Sequence, residues 1–143
     1  MPCLRTRFRV AEVANDRQQI EQLARDYTEA WCSHDPKRVA AHYVTGGTIA
    51  INGGEPAPIA HVAESFVAAF PDIVVSMDEL VVTDDVVEYH WTFTGTSAET
   101  GKFVRIPGLE EWTIGADGLI AESWGHYDQA EYDRQHHEGA PAG

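Results

Sequence analysis

The spacing of apolar residues along the chain changes from the period of a helix to that of a strand at Pro71. Directly before this proline, apolar side chains recur every three or four positions in "IAHVAESFVAAF" (59–70), which is the period of a helix with one buried face. After it, apolar residues recur at every second position in runs such as "VVEYHWTFT" (86–94), which is the period of a strand. Proline lacks the N–H that a helix needs and its ring clashes with the preceding turn, so the helix must end there. Helices followed by strands predict an α+β fold.

The predicted elements follow from this pattern and from the residues that begin helices. Asn15 is predicted to cap the first helix, and Asp35 with Pro36 begins a second, short helix that carries Tyr43 inward. Strands are predicted at 48–52, 73–82, 86–96, 102–106, 109–114 and 119–127. They form one domain, residues 1–143, in which a curved and mostly antiparallel sheet wraps around the three N-terminal helices. This cone-shaped arrangement leaves one central pocket, with a folded part at about 15–135 and flexible tails at both ends.

The balance of charge and the absence of several motifs limit the function. With 23 acidic and 10 basic residues the formal net charge is −13, which argues against nucleic acid, because phosphate binding needs clustered Lys and Arg. No apolar run resembles a membrane span or a signal peptide, so a cytoplasmic protein without a membrane partner is predicted. The histidines and the two cysteines lack metal-ligand spacing, and no complete glycine-rich phosphate motif is present. We therefore expect no metal and no cofactor.

Alternation along the two central strands sorts the side chains that could face the pocket. In the strand at 86–96, Trp91 and Phe93 share the aromatic face, which places them inside and His90 outside. In "LEEWTI" (109–114) the tryptophan at 112 is in register with Glu110, so alternation favours Glu110 over Glu111 as the inward acid. An exposed position for both acids remains open, because acids are rarely buried without a partner.

The last strand and the segment after it, "ESWGHYDQAEYDRQ" (122–135), contain a second group of candidates. Trp124, His126 and Asp128 lie two residues apart, and a bulky face packed on the helices would bring Asp128 to the pocket. The alternative is a structural role, since "DQAE" is an Asp-x-x-Glu pattern and Asp128 is then the N-cap of a terminal helix. Both interpretations stay open on the sequence alone.

Several stretches resemble the SnoaL-like polyketide cyclase family. They are "YTEAWCSHDPKRVAAHYV", "FPDIVVSMDELVVTDDVV", "HWTFTGT", "DGLIAESW" and "YDQAEYDRQ", and the similarity covers about residues 16–135. The family belongs to the superfamily of nuclear transport factor 2, ketosteroid isomerase, scytalone dehydratase and limonene epoxide hydrolase. The resemblance implies the same α+β cone around a hydrophobic pocket.

The resemblance also implies roles for individual positions. In the cyclases an aspartate after the last strand, a few residues ahead of a glutamine, is the acid and base of a ring-closing aldol step, and it falls on Asp128. An aromatic residue of the first helix falls on Trp31, and an asparagine of the first short strand falls near Asn52. A polar residue of the penultimate strand falls on Glu111, which conflicts with the alternation that favours Glu110. A one-residue bulge at 107–108 would reconcile the two.

The alternation of side chains and the family resemblance together predict a site and a function. The candidate catalytic residues are Asp128 and His126, and the candidate substrate-binding residues are Trp31, Tyr27, Tyr43, Asn52, Trp91, Phe93, Glu110, Glu111, Trp112 and Trp124. The predicted function is cofactor-independent proton transfer at carbon, as aldol cyclisation or isomerisation, on a small hydrophobic carbonyl compound that contains a ring. The alternatives are a non-catalytic domain that binds a hydrophobic ligand or a protein, and a dehydratase or epoxide hydrolase. Apolar residues on both faces of 73–82 predict a homodimer.

Overall fold

Four helices and six strands form the part of the chain that the structure, a computed structural model, describes: residues 2–84 and 86–141, with side chains from residue 17 onward. The helices are α1 (Pro2–Cys32), α2 (Pro36–Ala40), α3 (Ile59–Ala69) and α4 (Gln129–Glu138). The strands are β1 (Tyr43–Ile51), β2 (Ala57–Pro58), β3 (Val74–Val82), β4 (Val87–Thr96), β5 (Phe103–Ile114) and β6 (Ile120–Tyr127). None of the described helices is both long enough and apolar enough to cross a bilayer.

The six strands form one curved, open sheet in the order β2-β1-β6-β5-β4-β3. Neighbouring strands are antiparallel except β1 and β6, which run parallel. Helices α1, α2 and α3 bury their apolar faces against one side of this sheet, where a contiguous core includes Tyr27 of α1, Val39 of α2, Ala63 of α3 and Trp112 of β5. The predicted α+β class with a mostly antiparallel sheet around the helices is confirmed.

The helix ends differ from the predictions in three places. α1 begins at Pro2, so Asn15 lies inside the helix and is not its N-cap. Asp35 does cap α2, because its Oδ1 accepts a hydrogen bond from the Lys37 N–H at 2.9 Å. Tyr43 belongs to β1 rather than to the second helix. α4 continues to residue 138, beyond the predicted limit of the folded part.

Helix α4 packs beside the first half of β5, where β6 has already ended. The side-chain oxygen of Gln135 accepts a hydrogen bond from the Arg105 N–H at 2.7 Å, which satisfies a donor that β6 does not reach. Just beyond the helix, the Ala140 N–H donates to the Phe103 carbonyl at 2.7 Å. Gln135 is almost completely buried. We infer that this glutamine holds the terminal helix on the sheet.

A bulge in β3 changes which side chains face the core. The register against β4 shifts between Met77 and Glu79, so the alternation inverts at that point. Val75 before the shift packs against the core, and so do Leu80 and Val82 after it. Apolar residues at odd and at even positions of β3 suggested two buried faces. Because of the bulge, most of them pack against the same core.

A second bulge in β6 inverts the face predicted for the last strand. Ile120 pairs with Ile114 but Glu122 pairs with Thr113, so two residues of β6 oppose one of β5, and Ala121 is the extra residue. Ser123, Gly125 and Tyr127 consequently lie on the inner face, and the side chains of residues 122, 124, 126 and 128 point outward. The prediction that the bulky side chains of this segment pack against the helices is wrong.

The predicted bulge at 107–108 is absent, and β5 is one continuous strand where two were expected. Pro107 pairs with Thr92 and Gly108 with Trp91 without a shift of register. Alternation along β5 is therefore uninterrupted from residue 103 to residue 112.

Candidate active site

An apolar cavity lies between the concave face of the sheet and the helices α1 and α3. Six aromatic side chains line it, namely Trp31, Phe66, Tyr89, Trp91, Phe93 and Tyr127. The cavity volume is about 50 Å³, so the cavity is narrow. Glu110 is the one charged residue among the described side chains that line it. The aromatic and aliphatic lining suits a flat and largely apolar ligand.

The carboxyl group of Glu110 is held by donors from four different elements. Its Oε1 accepts hydrogen bonds from the Trp112 indole N–H at 2.9 Å, the Ser123 hydroxyl at 3.0 Å and the Tyr27 hydroxyl at 3.0 Å. The hydroxyl of Tyr43 lies 3.4 Å from the same oxygen and 3.0 Å from the Tyr27 oxygen. Tyr43 has one hydroxyl proton, and both Oε1 of Glu110 and the Tyr27 oxygen lie within hydrogen-bond distance of it.

The two oxygens of the Glu110 carboxyl have different surroundings. Oε1 accepts every hydrogen bond that the described residues make to this group, and Oε2 accepts none from them. The residue is only 6% exposed, and it is exposed at the cavity. Donors clustered on Oε1 disfavour a proton on that oxygen, so the protonated form carries its O–H on Oε2. Oε2 is thus the atom that can exchange a proton with a ligand.

Burial raises the pKa of Glu110 above its ordinary value, and the hydrogen bonds from Trp112, Ser123, Tyr27 and Tyr43 oppose this rise. Burial also raises the pKa of both tyrosines well above the ordinary value, with the negative charge of Glu110 as the next cause. The two tyrosines therefore remain protonated hydrogen-bond donors. The arrangement is a carboxyl group of increased basicity at the wall of an apolar cavity.

The structure brings four of the predicted site residues to the cavity wall: Trp31, Trp91, Phe93 and Glu110. Tyr27, Tyr43 and Trp112 lie one layer behind the wall and contact the ligand space only through Glu110. The inward position of Glu110, predicted from alternation, is confirmed, and so are the inward positions of Trp91 and Phe93 and the outer position of His90.

Asp128 and His126 lie outside the cavity. Asp128 is the exposed N-cap of α4, and its Oδ1 accepts a hydrogen bond from the Glu131 N–H at 3.1 Å. His126 points to the outer face of the sheet, where its Nε2 lies 3.0 Å from Oε1 of Glu111. The bulge at Ala121 is the physical reason, because it reverses the face of every later side chain in β6.

Three predicted substrate-binding residues also lie outside. Glu111 and Trp124 are on the outer face, because each directly follows a residue that points inward in its strand. Asn52 is exposed at the end of β1, where its Oδ1 accepts a hydrogen bond from the Tyr127 N–H at 2.9 Å and its backbone has a φ of 50°. Its contacts join β1 to the end of β6, so Asn52 supports the fold and not the cavity wall.

Several residues of the candidate site, Phe66 among them, were missing from the predicted site. Tyr89 shares the aromatic face of β4, and the same alternation that selected Trp91 could have included it. Ser123 and Tyr127 were assigned to the wrong face together with the rest of β6. Glycine at 125 was a usable signal for the inner face, because a Cβ there would lie 3.1 Å from Cδ1 of Ile51.

The profile of the SnoaL-like domain family matches residues 24–123, and the chain belongs to this family. No curated protein matches the sequence at a significant level.

Solved structures share the fold at low sequence identity. A protein assigned as a SnoaL-like polyketide cyclase, from Jannaschia sp. CCS1, is 20% identical with a TM-score of 0.69, over 87% of this chain and 94% of that one. SalBIII, an epoxide hydrolase/cyclase-like enzyme of pyran ring formation in salinomycin, is 15% identical with a TM-score of 0.72, over 81% and 95%. A ketosteroid isomerase-like fold from Catenulispora acidiphila DSM 44928, in complex with trimethylamine, is 13% identical with a TM-score of 0.69, over 76% and 87%. At these identities the likeness shows the fold alone.

Proposed function

We propose that this protein is a cofactor-independent enzyme that transfers a proton at a carbon atom next to a carbonyl group, with Glu110 as the base and acid. The observation that carries this proposal is the asymmetric carboxyl of Glu110, whose Oε1 is held by donors while Oε2 is left for a ligand in an apolar cavity. The substrate class that fits is a small, flat carbonyl compound with a hydrophobic ring.

The reaction follows from the chemistry of the carboxylate. Oε2 accepts a proton from the carbon next to the carbonyl, and the electron pair of the broken C–H bond moves to the carbonyl oxygen as an enolate. In an isomerisation the proton returns from Oε2 to another carbon. In a cyclisation the enolate carbon attacks a second carbonyl of the same molecule, and Oε2 gives the proton to the new alkoxide. Burial favours both routes, because it makes the carboxylate a stronger base than an exposed one.

This proposal assigns the proton transfer to Glu110 and not to Asp128 or His126. The carboxyl of Asp128 is bound to the N-terminus of α4, and a ligand held in the cavity has no contact with it. His126 pairs with Glu111 on the opposite face of the sheet. The predicted reaction class is kept, but the proposed acid is Glu110 on β5 instead of Asp128, which follows β6.

The test is exchange of the hydrogens next to the carbonyl for deuterium, followed by proton NMR in D₂O. The probes are 1-tetralone, acetophenone and 2-cyclohexenone, three small flat ketones. We expect the wild type to accelerate exchange of at least one, and Glu110→Gln to lower that rate by about 10²- to 10⁴-fold, because an amide cannot accept the proton. Asp128→Asn is the matched control and should keep the wild-type rate. Exchange that survives in Glu110→Gln, or no exchange by the wild type with any probe, would overturn the proposal.

The second candidate is a domain of the same family that binds a hydrophobic ligand without chemistry. The apolar lining favours it equally, and a buried acid with several donors also occurs as a purely structural group. Calorimetric binding of the same ketones by a wild type that exchanges none of their hydrogens would support this candidate. A dehydratase or hydrolase with two acids at the cavity is less consistent with the site, because Glu110 is the one carboxyl among the described lining residues.

We also propose that the protein is a homodimer through the outer face of the sheet. Two large apolar side chains of this face are well exposed, Val74 at 49% and Phe103 at 43%. Val74 on β3 pairs with Thr94 on β4, and Thr94 pairs with Arg105 on β5. Phe103 lies two residues from Arg105 on β5 and therefore on the same face of the sheet. Light scattering at tens of micromolar should give twice the chain mass of 15.8 kDa, and a Val74→Asp variant should shift it toward one chain mass. A wild-type monomer at that concentration would contradict the proposal.

A further inference from the structure

Trp91 is a residue of the cavity wall whose indole N–H lacks a partner among the described residues. Trp91 lines the cavity, yet its Nε1 is fully enclosed and makes no hydrogen bond with the described residues. Enclosed polar groups in folded proteins are almost always paired, because an unpaired donor loses its hydrogen bonds to water without replacement. The N–H of Trp112 shows the usual situation, since it donates to Glu110 at 2.9 Å.

The indole of Trp91 is fixed in place by a glycine on the neighbouring strand. Gly108 pairs with Trp91, and a Cβ at residue 108 would lie 2.5 Å from Cη2 and 2.6 Å from Cζ2 of the indole. The ring therefore lies directly over the backbone of β5, which only glycine permits. Phe93 and Tyr127 hold the ring from two sides, with centroid distances of 6.1 Å and 6.3 Å. The direction of the N–H is set by this packing.

Trp91 and Glu110 are neighbours on the same face of the sheet. Trp91, Gly108 and Tyr127 form one row across β4, β5 and β6, and Tyr89, Glu110 and residue 125 form the adjacent row. Adjacent rows on one face are two residues apart along a strand, which is about 7 Å. A small ligand with one ring and a carbonyl group spans that distance and reaches both rows.

We propose that the Trp91 N–H binds an oxygen atom of the ligand, and that the cavity therefore selects an uncharged molecule whose flat apolar body bears a carbonyl oxygen. The proposal rests on the proposed function, because that oxygen belongs to the carbonyl whose adjacent carbon faces Oε2 of Glu110. No Lys, Arg or His is among the described residues that line the cavity. A carboxylate or phosphate on the ligand would thus be buried beside Glu110 without a compensating charge.

The same contact has a consequence for the reaction. When the carbon next to the carbonyl loses its proton, negative charge develops on the oxygen, and a fixed donor in an apolar site binds that charge more strongly than the neutral carbonyl. Trp91 is then a residue that contacts the reacting atoms, and its contribution should be larger in turnover than in ground-state binding.

The test compares two probes that differ only in the oxygen, 1-tetralone and tetralin, by calorimetric binding. The wild type should bind 1-tetralone at least about fivefold more tightly than tetralin, the ratio expected for one hydrogen bond to a neutral acceptor. Trp91→Phe keeps an aromatic wall and removes the donor, so the two affinities should become equal within twofold while tetralin binding is retained. Trp124→Phe makes the same change on the outer face and should preserve the fivefold preference.

Failure of this proposal is distinguishable from failure of the proposed function. Glu110→Gln should lose hydrogen exchange and still prefer 1-tetralone, because the oxygen contact does not depend on the acid. If Trp91→Phe does not fold, β-(3-benzothienyl)-L-alanine at position 91 replaces the N–H by sulfur at nearly the same shape, and the preference should again disappear. A ketone preference that survives at position 91, equal wild-type affinities, or tighter binding of protonated 2-aminotetralin than of 1-tetralone would overturn the proposal.

Discussion

Replacing Glu110 by Gln should change how the stability of the protein depends on pH. Burial raises the pKa of this carboxyl above its ordinary value of 4.5, so the folded protein keeps a proton that the unfolded chain has already lost. The contribution of this carboxyl to the free energy of unfolding is fully present at pH values below its pKa in the unfolded chain. This contribution is lost as the pH rises through the folded pKa, because the buried carboxyl must then ionise.

The magnitude follows from the single proton involved. Between the unfolded and folded pKa values the folded state binds one proton more, so the free energy of unfolding of the wild type falls by about 1.4 kcal/mol per pH unit relative to Glu110→Gln. The difference in free energy of unfolding between the wild type and Glu110→Gln should be constant below about pH 4. It should change between the unfolded and folded pKa values of Glu110 and be constant again above the folded pKa. The total change in free energy then measures the rise in the pKa.

The assay is urea unfolding followed by tryptophan fluorescence, at a constant protein concentration and at half-unit steps from pH 4 to pH 9. Glu111→Gln removes the same charge from the outer face of the same strand and controls for the change in net charge. A difference curve between wild type and Glu110→Gln that is flat over the whole range would refute the reasoning. A curve in which the wild type gains stability with pH would show that the hydrogen bonds to Oε1 outweigh burial.

Two further substitutions test the packing around the site. Asp128→Ala should lower the free energy of unfolding by about 1 kcal/mol, whereas Asp128→Asn should leave it nearly unchanged, because asparagine caps a helix about as well as aspartate; equal losses in both variants by urea unfolding would contradict the role as a cap. Gly108→Ala should cost about 1–3 kcal/mol or more, because its Cβ would lie 2.5 Å from Cη2 of Trp91 and 2.6 Å from the carbonyl oxygen of His126. A Gly108→Ala variant with an unchanged melting temperature would show that the indole does not lie over β5.

The sequence alone determined the parts of this protein that depend on local periodicity. The change of period at Pro71 predicted helices before strands, and alternation in β4 placed Trp91 inside and His90 outside. In β5 alternation with Trp112 favoured Glu110 as the inward acid and the family resemblance favoured Glu111, and the structure decides for Glu110 because that strand has no bulge against β4. Where a segment is regular, the face of each side chain follows from its number in the sequence.

Tertiary structure decided the face of the last strand and the function of the acid. The bulge at Ala121 depends on how β6 pairs with β5, and a short alternating segment gives no local signal for it. The donors to Glu110 come from α1, β1, β5 and β6, and Tyr27 is 83 residues away from it in sequence. An acid at that position is unremarkable as a residue type, and its raised pKa exists only because folding removes water and brings these donors to one oxygen.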